Sequence, residues 1–241
     1  MGTSADYGGG TGGAWTPYKT AINTFAKHGP GSDGVRTKRV VSRYVAARGG
    51  AAAISQGAGA ASAARAAQEL ATLVSGVAVD GLTPALERLG YASLVGKDRY
   101  ELMDALVEAF AGDGSTLDDQ AVLSAVIATL ELVFPEDAES YEQLAETQVD
   151  AADVPRIVET LLAEWAFYDM APTFAEKLTH IEDPAVYLQR EADLRQILGN
   201  IVKIKLGDRD PAMIDWAAAD GRQIVESAIA DAFSIMEDEP S

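Results

Sequence analysis

Apolar residues recur along this chain three and four positions apart, the period of a helix, and strict alternation is hard to find. Thr16-Pro17 predicts a helix cap with proline in the first helical position, and Gly29-Pro30 a matching stop. Between them Tyr18, Ile22, Phe25 and Ala26 form one apolar stripe. A second helix is expected from Ser32 or Asp33 to Arg48, closed by Gly49-Gly50. It sets Val40, Val41, Tyr44 and Val45 on one face, with Arg36, Lys38, Arg39 and Arg43 mostly elsewhere. Residues 49–67 are almost all Gly, Ala and Ser. Ala favours helix, whereas Gly50, Gly57 and Gly59 oppose it by about 1 kcal/mol each, so a loosely held helix start is expected that firms up at Leu70, Leu73, Val74 and Val77. Small residues also allow helices to approach closely. A membrane-inserting glycine zipper is the other reading, interrupted by Gln56, Arg65, Gln68 and Glu69.

Further stripes follow in order. Leu82, Leu86 and Leu89 lead to Gly90, and Leu102, Met103, Leu106, Val107 and Phe110 precede Gly112-Asp113-Gly114. Thr116 predicts the cap of a helix running to Val133, apolar almost all round and therefore central, ended by Phe134-Pro135. Ile157, Val158, Leu161, Leu162, Trp165 and Tyr168 make the next face, expected to stop at Ala171-Pro172. Leu194, Ile197, Leu198, Ile201 and Val202 make another. A last helix is expected through Ile214, Ile224, Val225, Ile229, Phe233 and Met236. No period near 34 residues recurs, so a solenoid array is not supported. The pattern predicts an all-α fold: one multi-helix domain over residues 14–241 behind a Gly-rich leader at residues 1–13.

Charge divides that domain. The net charge of −18 combines eight basic and two acidic residues before position 66 with eleven basic and 35 acidic residues after it. A basic and small-residue part, 14–65, thus precedes an acidic helical body, 66–241. The acidic body argues against a primary nucleic-acid role. An accessory role for the segment from Lys19 to Arg48 stays open, as does its docking on protein. Cysteine is absent, which removes disulfides and thiolate chemistry and fits a cytoplasmic protein. The leader has no apolar core of a signal peptide, and the stretch from Ala121 to Phe134 is shorter than the roughly 20 residues of a membrane span.

Catalytic signatures fail in turn. No phosphate-binding loop is present, and the two histidines, His28 and His180, lack an acidic-His spacing that would hold a metal. Asp118 and Asp119 fall in a first helical turn, where the helix dipole favours negative charge. The expectation is a non-enzymatic protein with no catalytic residue, metal or cofactor. The myristoylation pattern fails because Asp6 stands where Ser or Thr is required. The leader itself, Met1-Gly2-Thr3-Ser4 and then Gly8-Gly9-Gly10-Thr11-Gly12-Gly13, holds too little apolar surface to order itself. It is either a frayed terminus or an arm that threads into another protein's cleft. Removal of Met1 is expected because Gly2 is small.

The opening Met1-Gly2-Thr3-Ser4, the two basic helices between Tyr18 and Gly50, the small-residue tract and Gly114-Ser115-Thr116-Leu117-Asp118-Asp119-Gln120-Ala121 together carry a resemblance. So does the last helix, with Ala228, Ala232, Phe233 and Ile235. The chain resembles the B-component family of the bacterial Qat anti-phage defence system. That resemblance implies a non-enzymatic part of a four-component operon. Its fellows would be an ATPase, a QueC-like relative of the enzyme that makes the nitrile of 7-cyano-7-deazaguanine, and a TatD-like nuclease. It further implies that Gly2 is the attachment point of a deazapurine-type group, with Thr3 and Ser4 read by the partner. Arg36, Lys38, Arg39 and Arg43 are the remaining candidate partner-binding residues.

Overall fold

The structure, a computed structural model, describes residues 13, 15–27, 34–112, 116–134, 136–138, 140–178 and 183–238. Among them the regular elements are helices alone: α1 (Trp15–Lys27), α2 (Gly34–Ala47), α3 (Ala51–Ser55), α4 (Ala58–Asp80), α5 (Leu82–Arg88), α6 (Arg99–Ala111), α7 (Leu117–Val133), α8 (Tyr141–Ala145), α9 (Val154–Leu178), α10 (Pro184–Ile201) and α11 (Ala219–Asp238). Three short 3-10 turns connect them, at Ala92–Leu94, Ala151–Asp153 and Pro211–Met213. This is the all-α single domain that the apolar periodicity predicts. The Gly-rich leader lies outside the described residues.

Helix α4 is the axle. It packs against α5, α7, α9 and α11, and it can do so because its buried face is small: Gly59, Ala60, Ala63, Ala64, Ala66 and Ala67 precede Leu70, Leu73, Val74 and Val77. A Cβ on Gly59 would lie 3.2 Å from the Asp118 carboxyl carbon at the start of α7. The close-packing reading of the tract is therefore the correct one. The loosely held start is not: Gly57, in extended conformation, splits the tract into α3 and a helix regular from Ala58. Burial of the small side chains between four neighbours outweighs the helix penalty of two glycines. No helix among the described residues is long and apolar enough to cross a membrane.

Helix α7 is central as expected, packed between α6, α4 and α9, with Val122, Ala125, Val126 and Leu130 fully buried. Thr116 and Asp119 close a reciprocal capping box at its start. Two boundaries differ from the sequence pattern. Helix α9 continues through Pro172 to Leu178, although proline there forfeits a backbone hydrogen bond. Beyond it Thr173 and Phe174 are buried, and the Phe174 ring lies 6.1 Å from that of Phe25 on α1. Apolar burial on α1 thus holds the last turns helical. The terminal helix, in turn, begins only at Ala219, and Ile214 lies in the irregular segment before it. Ile214 and Trp216 are nonetheless buried, so the apolar signal there reports burial and not helix. Gly221 permits that approach: a Cβ on it would lie 2.5 Å from the Trp216 carbonyl oxygen. Gln68 of α4 fastens the same corner by donating to the carbonyls of Ala217 (3.0 Å) and Ala218 (3.1 Å).

Candidate functional site

Helices α1 and α2 pair through their apolar stripes, Tyr18, Ala21, Ile22 and Phe25 against Val40, Val41, Tyr44 and Val45. The same periodicity that turns these residues inward turns every third and fourth of the others outward. Thr16, Pro17, Thr20 and Thr24 then line one wall of a groove, and Arg36, Arg39 and Arg43 the other. Its volume is about 600 Å³. Thr20 Oγ1 donates to the Thr16 carbonyl and Thr24 Oγ1 to the Thr20 carbonyl, each at 2.9 Å, so these hydroxyl protons are committed to the helix. Among the described residues no carboxylate forms an ion pair with Arg36, Arg39 or Arg43.

The floor of the α1–α2 pair holds a second polar constellation. Trp15, Tyr18 and Tyr44 meet edge to face, with Tyr18 and Tyr44 centroids 5.4 Å apart. The Tyr44 hydroxyl donates to the carboxylate of Asp169 on α9, and Arg48 lies 3.6 Å from the other carboxylate oxygen. Burial raises the pKa of Asp169, and the Arg48 charge and the Tyr44 hydrogen bond partly offset that rise. Burial likewise pushes the Tyr44 phenol well above its ordinary value, with the Asp169 charge adding to the shift. The Tyr18 hydroxyl is buried without a hydrogen-bond partner, and its pKa is raised for the same reason. These phenols therefore stay protonated at any physiological pH. The Tyr44 hydroxyl fastens α2 to α9, and the Tyr18 ring packs against it from α1.

The structure brings Arg36, Arg39 and Arg43 of the sequence candidates into one groove and leaves half-buried Lys38 off its walls. Gly2, Thr3 and Ser4 lie outside the described residues, as do His28 and His180. Among the described residues no cluster of His, Asp and Glu could hold a metal ion. Sequence reasoning missed the threonine wall and Asp169. Thr16, Thr20 and Thr24 share the spacing of four that aligns a helix face. Asp169 is a lone carboxylate within the apolar run from Trp165 to Met170.

Residues 49–236 match the family model described as Qat anti-phage system associated protein QatB. Neither a curated protein nor a solved structure matches the chain. The matched span starts just after α2 and runs from α3 into the last turn of α11, so α1 and α2 lie ahead of it. The chain belongs to the QatB family and is therefore a component of an anti-phage defence system.

Proposed function

We propose that this QatB-family protein is a modification substrate: it presents the amine of Gly2 to a QueC-like enzyme of the same system. The reading rests on the family membership together with the sequence of the first four residues. A glycine amine has no side chain to obstruct approach. With a pKa near 8, a usable fraction is neutral at pH 7, whereas lysines such as Lys19 and Lys27 start from about 10.4. The amine nitrogen attacks a carboxyl carbon that the enzyme has activated with ATP. An amide bond forms, the activating group leaves with the carboxyl oxygen, and the amine loses a proton. The helical domain carries no catalytic role in this scheme and serves as the body from which the leader is offered. Twelve residues lie between Gly2 and Trp15, so a fully extended leader reaches at most about 45 Å from α1. The other Qat components, the ATPase and the TatD-like nuclease, are further partners in the cytoplasm.

Intact mass and N-terminal peptide mass, measured on protein made alone and beside its operon partners, test the reading. A mass increment on Gly2 only in the second case is expected. Gly2→Pro is expected to abolish the increment and phage protection together, because a ring-locked secondary amine presents different geometry. An unmodified Gly2 in cells that remain protected would refute the scheme. The chain would then act as a scaffold or as a nucleic-acid-binding accessory of the ATPase and nuclease, the reading that the basic helices favour.

A further inference from the structure

The groove between α1 and α2 points to a ligand of its own, and we infer that it binds a short chain of phosphates attached to sugar hydroxyls. The inference stands apart from any modification of Gly2. Its first support is the missing counter-charge: the described carboxylates form ion pairs with Arg88, Arg156, Arg195, Lys203, Lys205 and Arg209, yet none with Arg36, Arg39 or Arg43. Three guanidinium groups gathered along one wall repel one another unless an anion from outside lies among them.

Spacing selects the anion. Arg36, Arg39 and Arg43 occupy steps of three and four on α2, one helix face, and span about 10 Å along its axis. A helically stacked nucleic-acid strand carries one phosphate per ~3.4 Å, so about three phosphates face the three arginines. An extended acidic peptide turns a side chain to one face only every ~7 Å and can place no more than about two carboxylates there. Guanidinium groups also match phosphate oxygens in pairs, with two parallel N–H donors each.

The opposite wall selects what hangs on the phosphates. The Thr20 hydroxyl has spent its proton on the helix and offers an oxygen acceptor to the groove. An acceptor repels phosphate and accepts from a sugar hydroxyl. The ligand thus lies with its phosphates along α2 and its sugars along α1. The acidic body bounds its length. Residues beyond 65 carry a net charge of −24 and repel the many phosphates of a long duplex, whereas two or three nucleotides expose few phosphates to that repulsion. The shared chemistry belongs both to a nucleoside triphosphate and to a short single strand.

Fluorescence anisotropy with a labelled short oligouridylate, in competition with ATP, an oligodeoxythymidylate and an oligoglutamate, decides the matter on the full chain. Three phosphate contacts predict a salt slope near −2 for a single strand, an affinity loss of about 20-fold between about 50 and 200 mM salt. Arg39→Gln with Arg43→Gln is expected to weaken binding at least about 10-fold at the lower salt and flatten the slope toward −0.7. Arg65→Gln, an exposed cation outside the groove, is expected to change neither. Oligodeoxythymidylate is expected to bind more weakly than oligouridylate. Complete displacement by ATP at equal phosphate assigns a free nucleotide, and weak displacement assigns a strand. Oligoglutamate binding as tightly as the phosphate probes would overturn the inference and make the groove a dock for an acidic protein. Absence of binding to every probe, or binding untouched by the double variant, would overturn it as well. An unchanged urea unfolding curve shows that the variant is folded, since neither arginine is buried.

Discussion

Removing the Tyr44 hydroxyl isolates the hydrogen bond that ties α2 to the buried carboxylate of α9. In Tyr44→Phe the ring stays packed against Tyr18 and Trp15, while the Asp169 carboxylate keeps only Arg48, at 3.6 Å. A hydrogen bond to a charged group contributes about 1.5–3 kcal/mol, and a buried acceptor left short of partners bears most of that loss. We expect about 2 kcal/mol at pH 7, a fall of roughly 1 M in the urea midpoint. The cost is bounded because the carboxylate can take up a proton instead. Asp169 has its pKa raised by burial in the folded state, so between the unfolded value near 4 and the folded value the native protein holds the extra proton. Stability therefore falls as pH rises through that window. Tyr44→Phe deletes a bond that holds the folded pKa down, which moves the upper edge of the window upward and makes the variant's deficit larger above that window than at its acid edge. Asp169→Asn retains an acceptor for the Tyr44 hydroxyl and loses the titration, so its stability difference from wild type should shrink toward low pH. Urea unfolding followed by circular dichroism at four or so pH values from about 4 to 8 measures all three proteins. A Tyr44→Phe deficit below about 0.5 kcal/mol, or one independent of pH, would refute the account of this cluster.

Two further substitutions probe the packing. Val126→Asp places a charge at a fully buried position of α7 and is expected to prevent folding, whereas Ile127→Asp, at a half-buried position, should leave a folded but destabilised protein. Similar melting temperatures for the two would show that α7 is not gripped on one side more than the other. Gly221→Ala forces a Cβ to within 2.5 Å of the Trp216 carbonyl oxygen, so the backbone between the two must shift. A loss of about 1–3 kcal/mol in the same urea assay is expected, and a neutral effect would contradict the close approach.

Much of this fold is written locally. Thr116 and Asp119 announce the start of α7, and the stripe of Tyr18, Ile22 and Phe25 announces the buried face of α1, because caps and helical periods act between near neighbours. What escapes the sequence is set by distant partners. Pro172 reads as a stop, and only the burial of Phe174 on α1 carries α9 past it. Ile214 reads as helical because its burial mimics a period. The arginine wall of the groove was legible from positions 36, 39 and 43, yet nothing local told that Thr16, Thr20 and Thr24 of α1 would face it. Tyr44 and Asp169 lie 125 positions apart, beyond the reach of any local pattern.

The late closure of the core sets a timetable for synthesis. Helix α11, residues 219–238, packs on α2, α3 and α4, which leave the ribosome long before it. At about 5–20 residues per second, translation of the chain takes roughly 10–50 s, and until α11 emerges the small-residue face of α4 has one flank open. The nascent chain thus spends most of its manufacture with an apolar seam awaiting its final helix.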